Sequence, residues 1–290
     1  MDIRSSLSIH TTVPSDPEKA ESFNPPECTR EFIITSNKSL HSEADVVIFQ
    51  YVNLKGVALP TKRYPGVPWV LALQESSINT RPLPKSFNGV FNFTWSLRGD
   101  SEVHHNFDQM YPRLEKRDEK WIYGKTKLNL QRGLCPTVEW NLANVEDLFR
   151  NWKLDSFGGC SHKSCVRNES CFSNLGKEYK FYMALENSLC VDYITEKPSH
   201  GWVHNMVPII YALGNKTMLS PPNSYVDALE FKTMKGLADR IKFLANNPKE
   251  YFKYFEWKSV YDLKTPFASS YHCYAFREIR KVTELIRRKE

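Results

Sequence analysis

Between Tyr179 and Lys197 the chain reads YKFYMALENSLCVDYITEK, an apolar run that ends in a knot of charged, amide and hydroxyl groups. Lys180 to Leu185 has the continuous hydrophobicity of a strand buried on both faces. Glu186 onward then falls at its carboxyl end, where open α/β sheets bind ligands. Thr195 can cap a helix whose first turn holds Glu196, Lys197 and Pro198; proline is tolerated there because the amide it lacks would be unpaired anyway. A helix start attracts phosphate, and Lys197 adds a cation. Glu196 can accept from ribose hydroxyls, while Asn187 and Tyr193 can donate to phosphate or sugar oxygens. From pattern alone, a nucleotide-diphosphate pocket and a solvated cap after a strand fit the stretch equally well. A second carboxylate, Glu75 in QESSINT, follows the apolar run Trp69–Leu73. By itself it reads as a surface group at a strand end.

The elements that must carry these residues alternate along the chain. Apolar runs at Ala44–Val52, Trp69–Leu73, Gly89–Trp95, Lys180–Leu185 and Val207–Leu213 predict buried strands. Helical spacing predicts helices over Asn144–Trp152, over Thr233–Asn247 with Met234, Leu237, Ile241 and Leu244 on one face, and over Tyr274–Lys289 with Phe276, Ile279, Val282 and Ile286 on one stripe. Such alternation predicts an α/β chain with parallel sheets. Residues 1–27, polar and rich in proline, predict a flexible lead-in. The expected domains are 28–118 and 119–290.

Composition narrows the classes. The chain has 290 residues, 41% hydrophobic, with a formal charge of +6. That supports a sizeable core, and a mild basic balance suits an anionic ligand. Lys and Arg are scattered and form no basic stripe interleaved with aromatics, which argues against a nucleic-acid partner. Seven cysteines are present. The spacing of Cys160, Cys165 and Cys171 fits no zinc pattern well, so disulfides in an oxidising compartment are the better reading. Sequons at Asn37, Asn92, Asn168 and Asn215 agree with it. Against it, residues 1–30 contain no apolar run long enough to target or span.

FYMALENSLCVDYITEK closely resembles the signature of the α1,3-fucosyltransferases of glycosyltransferase family 10, F-Y-L-A-F-E-N-S-x-C-x-D-Y-V-T-E-K. ADVVIFQYVNL, PWVLALQESSINT, FNFTWSLRGDSEV, LDSFGGC, VPIIYAL and PPNSYVDALEF resemble further family segments in family order, so the likeness spans about residues 28 to 275. It implies a GT-B architecture: two Rossmann-like domains facing a central cleft, the first for the acceptor and the second for GDP-fucose. It implies inverting transfer of L-fucose from GDP-β-L-fucose to a GlcNAc of a glycoprotein glycan, with Glu75 as base. A carboxylate suits that role when desolvation lifts its pKa. Glu186, Asn187, Tyr193, Glu196, Lys197 and Arg98 map onto donor-binding positions. No metal cofactor is required, and manganese acts as a stimulant; no D-x-D motif is present to hold one. A Golgi-luminal enzyme with a membrane anchor is implied, although no anchor is visible in this sequence. The short spacing from Lys197 to Val207 resembles the subgroup that acts on the N-glycan core.

The pattern also departs from the family. Gln50 replaces a histidine, Ser77 a proline, and Leu97 and Gly99 a tyrosine and an arginine. The arginine that contacts the donor diphosphate would fall near Asn141; Arg132 and Arg150 are out of register with it. Losing one such charge-assisted contact costs about 1.5–3 kcal/mol. Cys273 lacks the partner of a family C-x-x-C pair. Pro198 and Gly201 weaken the helix that follows Glu196. The alternatives are therefore a relative that binds GDP-sugar or glycan without catalysis, and a truncated product with one strand fewer in its first sheet.

Overall fold

The structure, a computed structural model, describes residues 7–11, 21–23, 32–35, 38–54, 59–104, 109–116, 130–132, 154–156, 169–264 and 277–284. The predicted helix over Asn144–Trp152 and the sequons Asn37 and Asn168 lie outside them, as do Cys28, Cys135, Cys160, Cys165 and Cys273. The chain divides into two compact α/β units. One is Met1–His105 with Pro266–Glu290, and the other is Asn106–Thr265. This partition differs from the expected 28–118 and 119–290, because the last segment of the chain belongs to the first unit.

The first unit holds a seven-stranded sheet built from β1 (Leu7–Thr11), β2 (Glu21–Phe23), β3 (Phe32–Thr35), β4 (Val46–Gln50), β5 (Trp69–Leu73), β6 (Phe93–Ser96) and β7 (Val103–His104), in the order β2-β3-β1-β4-β5-β6-β7. All neighbours are parallel except β2 and β3. Residues 7–11 are therefore not a lead-in: β1 lies inside the sheet, with Leu7 in register with Phe32 and Ile9 with Val46. The strand expected to be missing is present. LSIHT has no apolar run to announce it, yet its ladder hydrogen bonds need only backbone.

The central strands are buried on both faces, as their unbroken hydrophobicity requires. Val46 and Ile48 pack on one side with Val70, Ala72, Phe93 and Trp95. Val47 and Phe49 pack on the other with Trp69 and Leu71. The helix over 277–284 covers the first of these faces with Ile279 and Val282, as the terminal stripe predicts.

The second unit holds a parallel sheet of β9 (Leu130–Arg132), β10 (Leu154–Ser156), β11 (Phe181–Leu185), β12 (Val207–Tyr211) and β13 (Val226–Asp227), in the order β10-β9-β11-β12-β13. A separate antiparallel ribbon pairs β8 (Gln109–Pro112) with β14 (Tyr261–Lys264). Alternation again sorts β11. Phe181, Met183 and Leu185 meet Leu237, Ala238, Ile241 and Leu244 of the helix Met234–Asn246. Tyr182 and Ala184 face Leu175 of the helix Glu169–Glu178 and Trp202 of the helix Lys197–Val203. Each large apolar side chain buried this way contributes about 1.5–3 kcal/mol. The Met234–Asn246 helix starts where Thr233 Oγ1 accepts from Gly236 N at 3.1 Å. Together the sheets and helices give two Rossmann-like α/β units, the GT-B class of architecture.

Candidate active site

Parallel pairing brings the predicted residues of each unit to the carboxyl edge of its own sheet. In the first unit Gln50 ends β4, Glu75 follows β5 by two residues, and Arg98 follows β6 by two. Glu75 Oε1 accepts from Ser76 N at 2.7 Å. Ser76 is buried, and its carbonyl receives Thr80 Oγ1 at 2.6 Å and Asn79 N at 3.1 Å. The carboxylate thus stands on a closed turn and is itself half-buried. Arg98 is exposed and holds Asp100 with two parallel hydrogen bonds, the Nε one at 2.7 Å. That bond is the main reason the Asp100 carboxyl lies below the usual carboxylate range. His104, at the end of β7, meets the Leu97 carbonyl through Nε2 at 2.9 Å, a contact no sequence motif announced.

In the second unit the edge is organised around Glu186, which is 1% exposed. Its Oε1 accepts from Thr195 N at 2.8 Å and Thr195 Oγ1 at 2.9 Å. Its Oε2 accepts from Thr195 Oγ1 at 2.9 Å and Lys197 Nζ at 2.5 Å. Burial pushes the Glu186 carboxyl up, against the opposing pull of the Lys197 ammonium. Glu186 was expected to contact the donor. Instead both its oxygens are occupied, and it holds the segment that leads into the helix. Thr195 was expected to cap that helix, but its hydroxyl turns to Glu186. The helix Lys197–Val203 has Glu196 at its N-cap position with no side-chain cap.

This arrangement leaves particular groups available. Glu196 is half-buried, and its carboxylate has no hydrogen-bond partner among the described residues. Asn187 Oδ1 is shielded from solvent and unpartnered among the described residues, a costly state unless something donates to it. Lys197 has spent one of its three N–H groups well, on Glu186; the second, to Thr195 Oγ1, spans 3.4 Å. Tyr193 is 3% exposed, next to Asp192, whose φ of 59° makes the turn in the left-handed region. Pro198 and Gly201, expected to weaken the helix, suit it for close packing: Pro198 occupies the first turn, and a Cβ on Gly201 would meet Pro208 at 3.1 Å.

Two groups that the sequence left aside also stand near this edge. Arg132 is the last residue of β9, in register with Met183 of β11. Lys216, after β12, pairs with Asp227 of β13 at 2.8 Å. The far end of the 197–203 helix is tied down by Lys258, which is buried and donates to the Trp202 carbonyl and to Asn205 Oδ1 at 2.6 Å.

Two Rossmann-like units, one with a seated carboxylate at its sheet edge and one with open acceptors beside a lysine, make up a fold of the GT-B class. The chain belongs to glycosyltransferase family 10, the fucosyltransferases. The C-terminal family profile matches residues 134–290 and the fucosyltransferase N-terminal profile matches residues 8–108. A relative from Drosophila melanogaster, alpha-(1,3)-fucosyltransferase C, is 29% identical over 228 residues, covering 71% of this chain and 54% of the relative. Bovine alpha-(1,3)-fucosyltransferase 7 is 31% identical over 263 residues, covering 83% of this chain and 73% of the relative. The chain thus spans about half the length of the fly protein. A solved alpha1,3-fucosyltransferase shares the fold at TM-score 0.56 and 15% identity, over 88% of this chain and 81% of that one.

Proposed function

We propose that this protein is an inverting α1,3-fucosyltransferase that moves L-fucose from GDP-β-L-fucose to a GlcNAc of a glycoprotein N-glycan. The observation that carries the reading is the pair of unmet acceptors, Asn187 Oδ1 and Glu196, beside Lys197 at the carboxyl end of β11. Ribose hydroxyls satisfy the Glu196 carboxylate, and a donor hydroxyl or ring N–H satisfies Asn187. Glu75 is the base. It takes the proton of the acceptor hydroxyl while that oxygen bonds to the fucose anomeric carbon from the face opposite GDP. The bond from that carbon to the β-phosphate oxygen breaks, and GDP leaves with the electron pair. The remaining N–H of Lys197 meets the charge that grows on the diphosphate. Tyr193 and Arg98 belong to the same donor assignment, Tyr193 through its hydroxyl and Arg98 through the guanidinium that also holds Asp100.

Manganese is given no step. Among the described residues no group of three or more His, Cys, Asp or Glu side chains converges to hold a metal ion, and any stimulation would act through the donor diphosphate. The short connection from Lys197 to Val207 supports the N-glycan core as acceptor. A Golgi-luminal setting with a membrane anchor is part of the proposal. Cys171 in a disulfide supports an oxidising compartment, while no helix among the described residues is long and apolar enough to cross a membrane.

The test is GDP release from GDP-fucose by the purified protein, with N-glycan core and with lactosamine acceptors. Release that depends on the core glycan is the expected result. The change from the family arginine to Asn141 favours a second reading, a donor-binding relative that has lost catalysis. Thermal stabilisation by GDP without release onto either acceptor would establish it.

A further inference from the structure

Gly214 follows β12 by three residues, on the same carboxyl edge as the loop that carries Tyr193 and Thr195. It is buried, and its φ is not in the left-handed region, so backbone conformation does not call for glycine there. Space does. A Cβ on Gly214 would lie 2.4 Å from Ile194 Cγ1 and 2.7 Å from Ile194 Cδ1, with the Asp192 carbonyl carbon at 3.4 Å. The first two distances are far inside the carbon–carbon optimum of about 3.5–4.0 Å. The bare backbone of Gly214 thus rests against the residues on both sides of Tyr193.

Neither side of this contact has room to give. Ile194 is buried and shares its apolar cluster with Trp202, Ile210 and Ala212. Its β-branched side chain has few rotamers to turn to. Thr195, the next residue, is tied to Glu186 through its amide and its hydroxyl. The segment that holds Gly214 is pinned at both ends. On one, the Tyr211 carbonyl accepts from Glu186 N at 3.2 Å. On the other, Lys216 Nζ meets Asp227 Oδ2 at 2.8 Å, with the two side chains only 11% and 14% exposed. Thr217 and Tyr225 share a hydrogen bond beside that pair. Asp227 is fixed in turn, since its Oδ1 accepts from Leu229 N at 2.9 Å.

We propose that Gly214 is a positioning residue for the donor: held by the Lys216–Asp227 pair, it is the stop against which the turn at Asp192–Ile194 settles. The inference rests on the donor site proposed above. A methyl group at position 214 displaces Ile194. Thr195 is anchored on the far side, so the displacement passes to Tyr193, and the group that meets GDP-fucose is moved out of place. Glu75 belongs to the other unit and is not touched. The stop therefore acts on donor binding and not on the proton transfer.

The experiment compares the full chain with Gly214→Ala, Ile194→Ala, their double variant and Asp227→Asn. Turnover of GDP-fucose, GDP binding by calorimetry and the melting temperature are measured for each. Gly214→Ala should raise the donor KM and the Kd for GDP about tenfold, a shift of the size that overpacking by one methyl group causes, and kcat should change less. Ile194→Ala removes the atoms that a methyl at 214 would strike. In that background Gly214→Ala should change the donor KM little, because the two positions act through one contact. Asp227→Asn keeps the acceptor for Leu229 N but loses the ion pair, and it should also raise the donor KM more than it lowers kcat. A glycine needed for packing alone would lower the melting temperature and leave the donor KM of the folded protein unchanged. That result in Gly214→Ala, or in Asp227→Asn should Gly214→Ala not fold, overturns the positioning. So does an equal rise in KM with and without the Ile194 side chain. A wild-type chain that binds no GDP overturns the donor site and this inference with it, whereas wild-type turnover beside unaltered variants removes the positioning alone.

Discussion

Glu186 and Lys197 form an ion pair of 2.5 Å in which the carboxylate is fully buried and the ammonium side chain is 14% exposed. The two residues close the loop that carries Tyr193 and Thr195. Because burial raises the Glu186 carboxyl above its ordinary value of 4.5, the folded state holds that proton more tightly than the unfolded chain. Its contribution to stability is therefore complete below pH 4.5 and is lost as pH rises through the folded value. Glu186→Gln should abolish this slope, read as the pH dependence of the unfolding midpoint from pH 4 to 8. It should also weaken GDP-fucose binding, because Lys197 is no longer aimed. A variant that keeps the wild-type slope would place the titration elsewhere.

Lys197→Met removes the only cation bonded to Glu186 among the described residues. Stranding a buried carboxylate costs about 3–5 kcal/mol, so the single variant should melt well below wild type at pH 7. The double variant with Glu186→Gln should recover much of the loss. Recovery of stability without recovery of GDP-fucose affinity would separate the structural pairing from donor binding.

Glu75→Gln keeps a group that can accept from Ser76 N but cannot take a proton. Transfer should fall by about 10²–10⁴-fold, with donor affinity unchanged by calorimetry. Wild-type turnover in this variant would remove Glu75 as base.

Arg132 ends β9 in register with Met183 of β11, the strand that leads to Glu186, and it is the arginine tested here as a substitute for the family arginine. Arg132→Ala should raise the KM for GDP-fucose about tenfold or more, as loss of a charge-assisted contact worth about 1.5–3 kcal/mol predicts. Affinity for the acceptor should not change. An unaltered donor KM would show that the chain binds diphosphate without this arginine.

Lys258 holds the Trp202 carbonyl and Asn205 Oδ1 from a buried position, and Asn205 sits at φ 59°. Asn205→Gly accepts that backbone while deleting the amide that Lys258 binds. The expected result is a folded protein whose donor KM rises while kcat changes less. A KM equal to wild type would limit Lys258 to stability alone.

The central strands were legible because the apolar runs Ala44–Val52, Trp69–Leu73 and Lys180–Leu185 contain Val46–Phe49, Trp69–Ala72 and Phe181–Leu185, which are buried on both faces, and such burial writes itself as continuous hydrophobicity. The Met234–Asn246 helix was legible for the complementary reason, a one-sided stripe. β1 was not legible. Its residues offer no apolar run, and its place between β3 and β4 depends on pairing with segments far along the chain. At the site, residue types marked the right stretch but not the roles within it. Glu186 and Glu196 are the same side chain ten positions apart; only burial separates the one that supports the loop from the one left open. Arg132 is out of register with the family arginine by counting along the chain, and strand pairing sets its backbone beside Met183, inside β11.

The first unit's core takes Val46, Ile48 and Val70 from the early chain and Ile279 from the helix over 277–284, and its sheet has the early strand β1 at its interior. All of the second unit lies between those contributions. A ribosome therefore releases everything the second unit needs before it releases the last piece of the first. The second unit can condense during synthesis, while the first holds an unfinished apolar face until the 277–284 helix is out. Substitutions that loosen the 277–284 helix should lengthen that exposure, and lower the yield of soluble protein more than its final stability predicts.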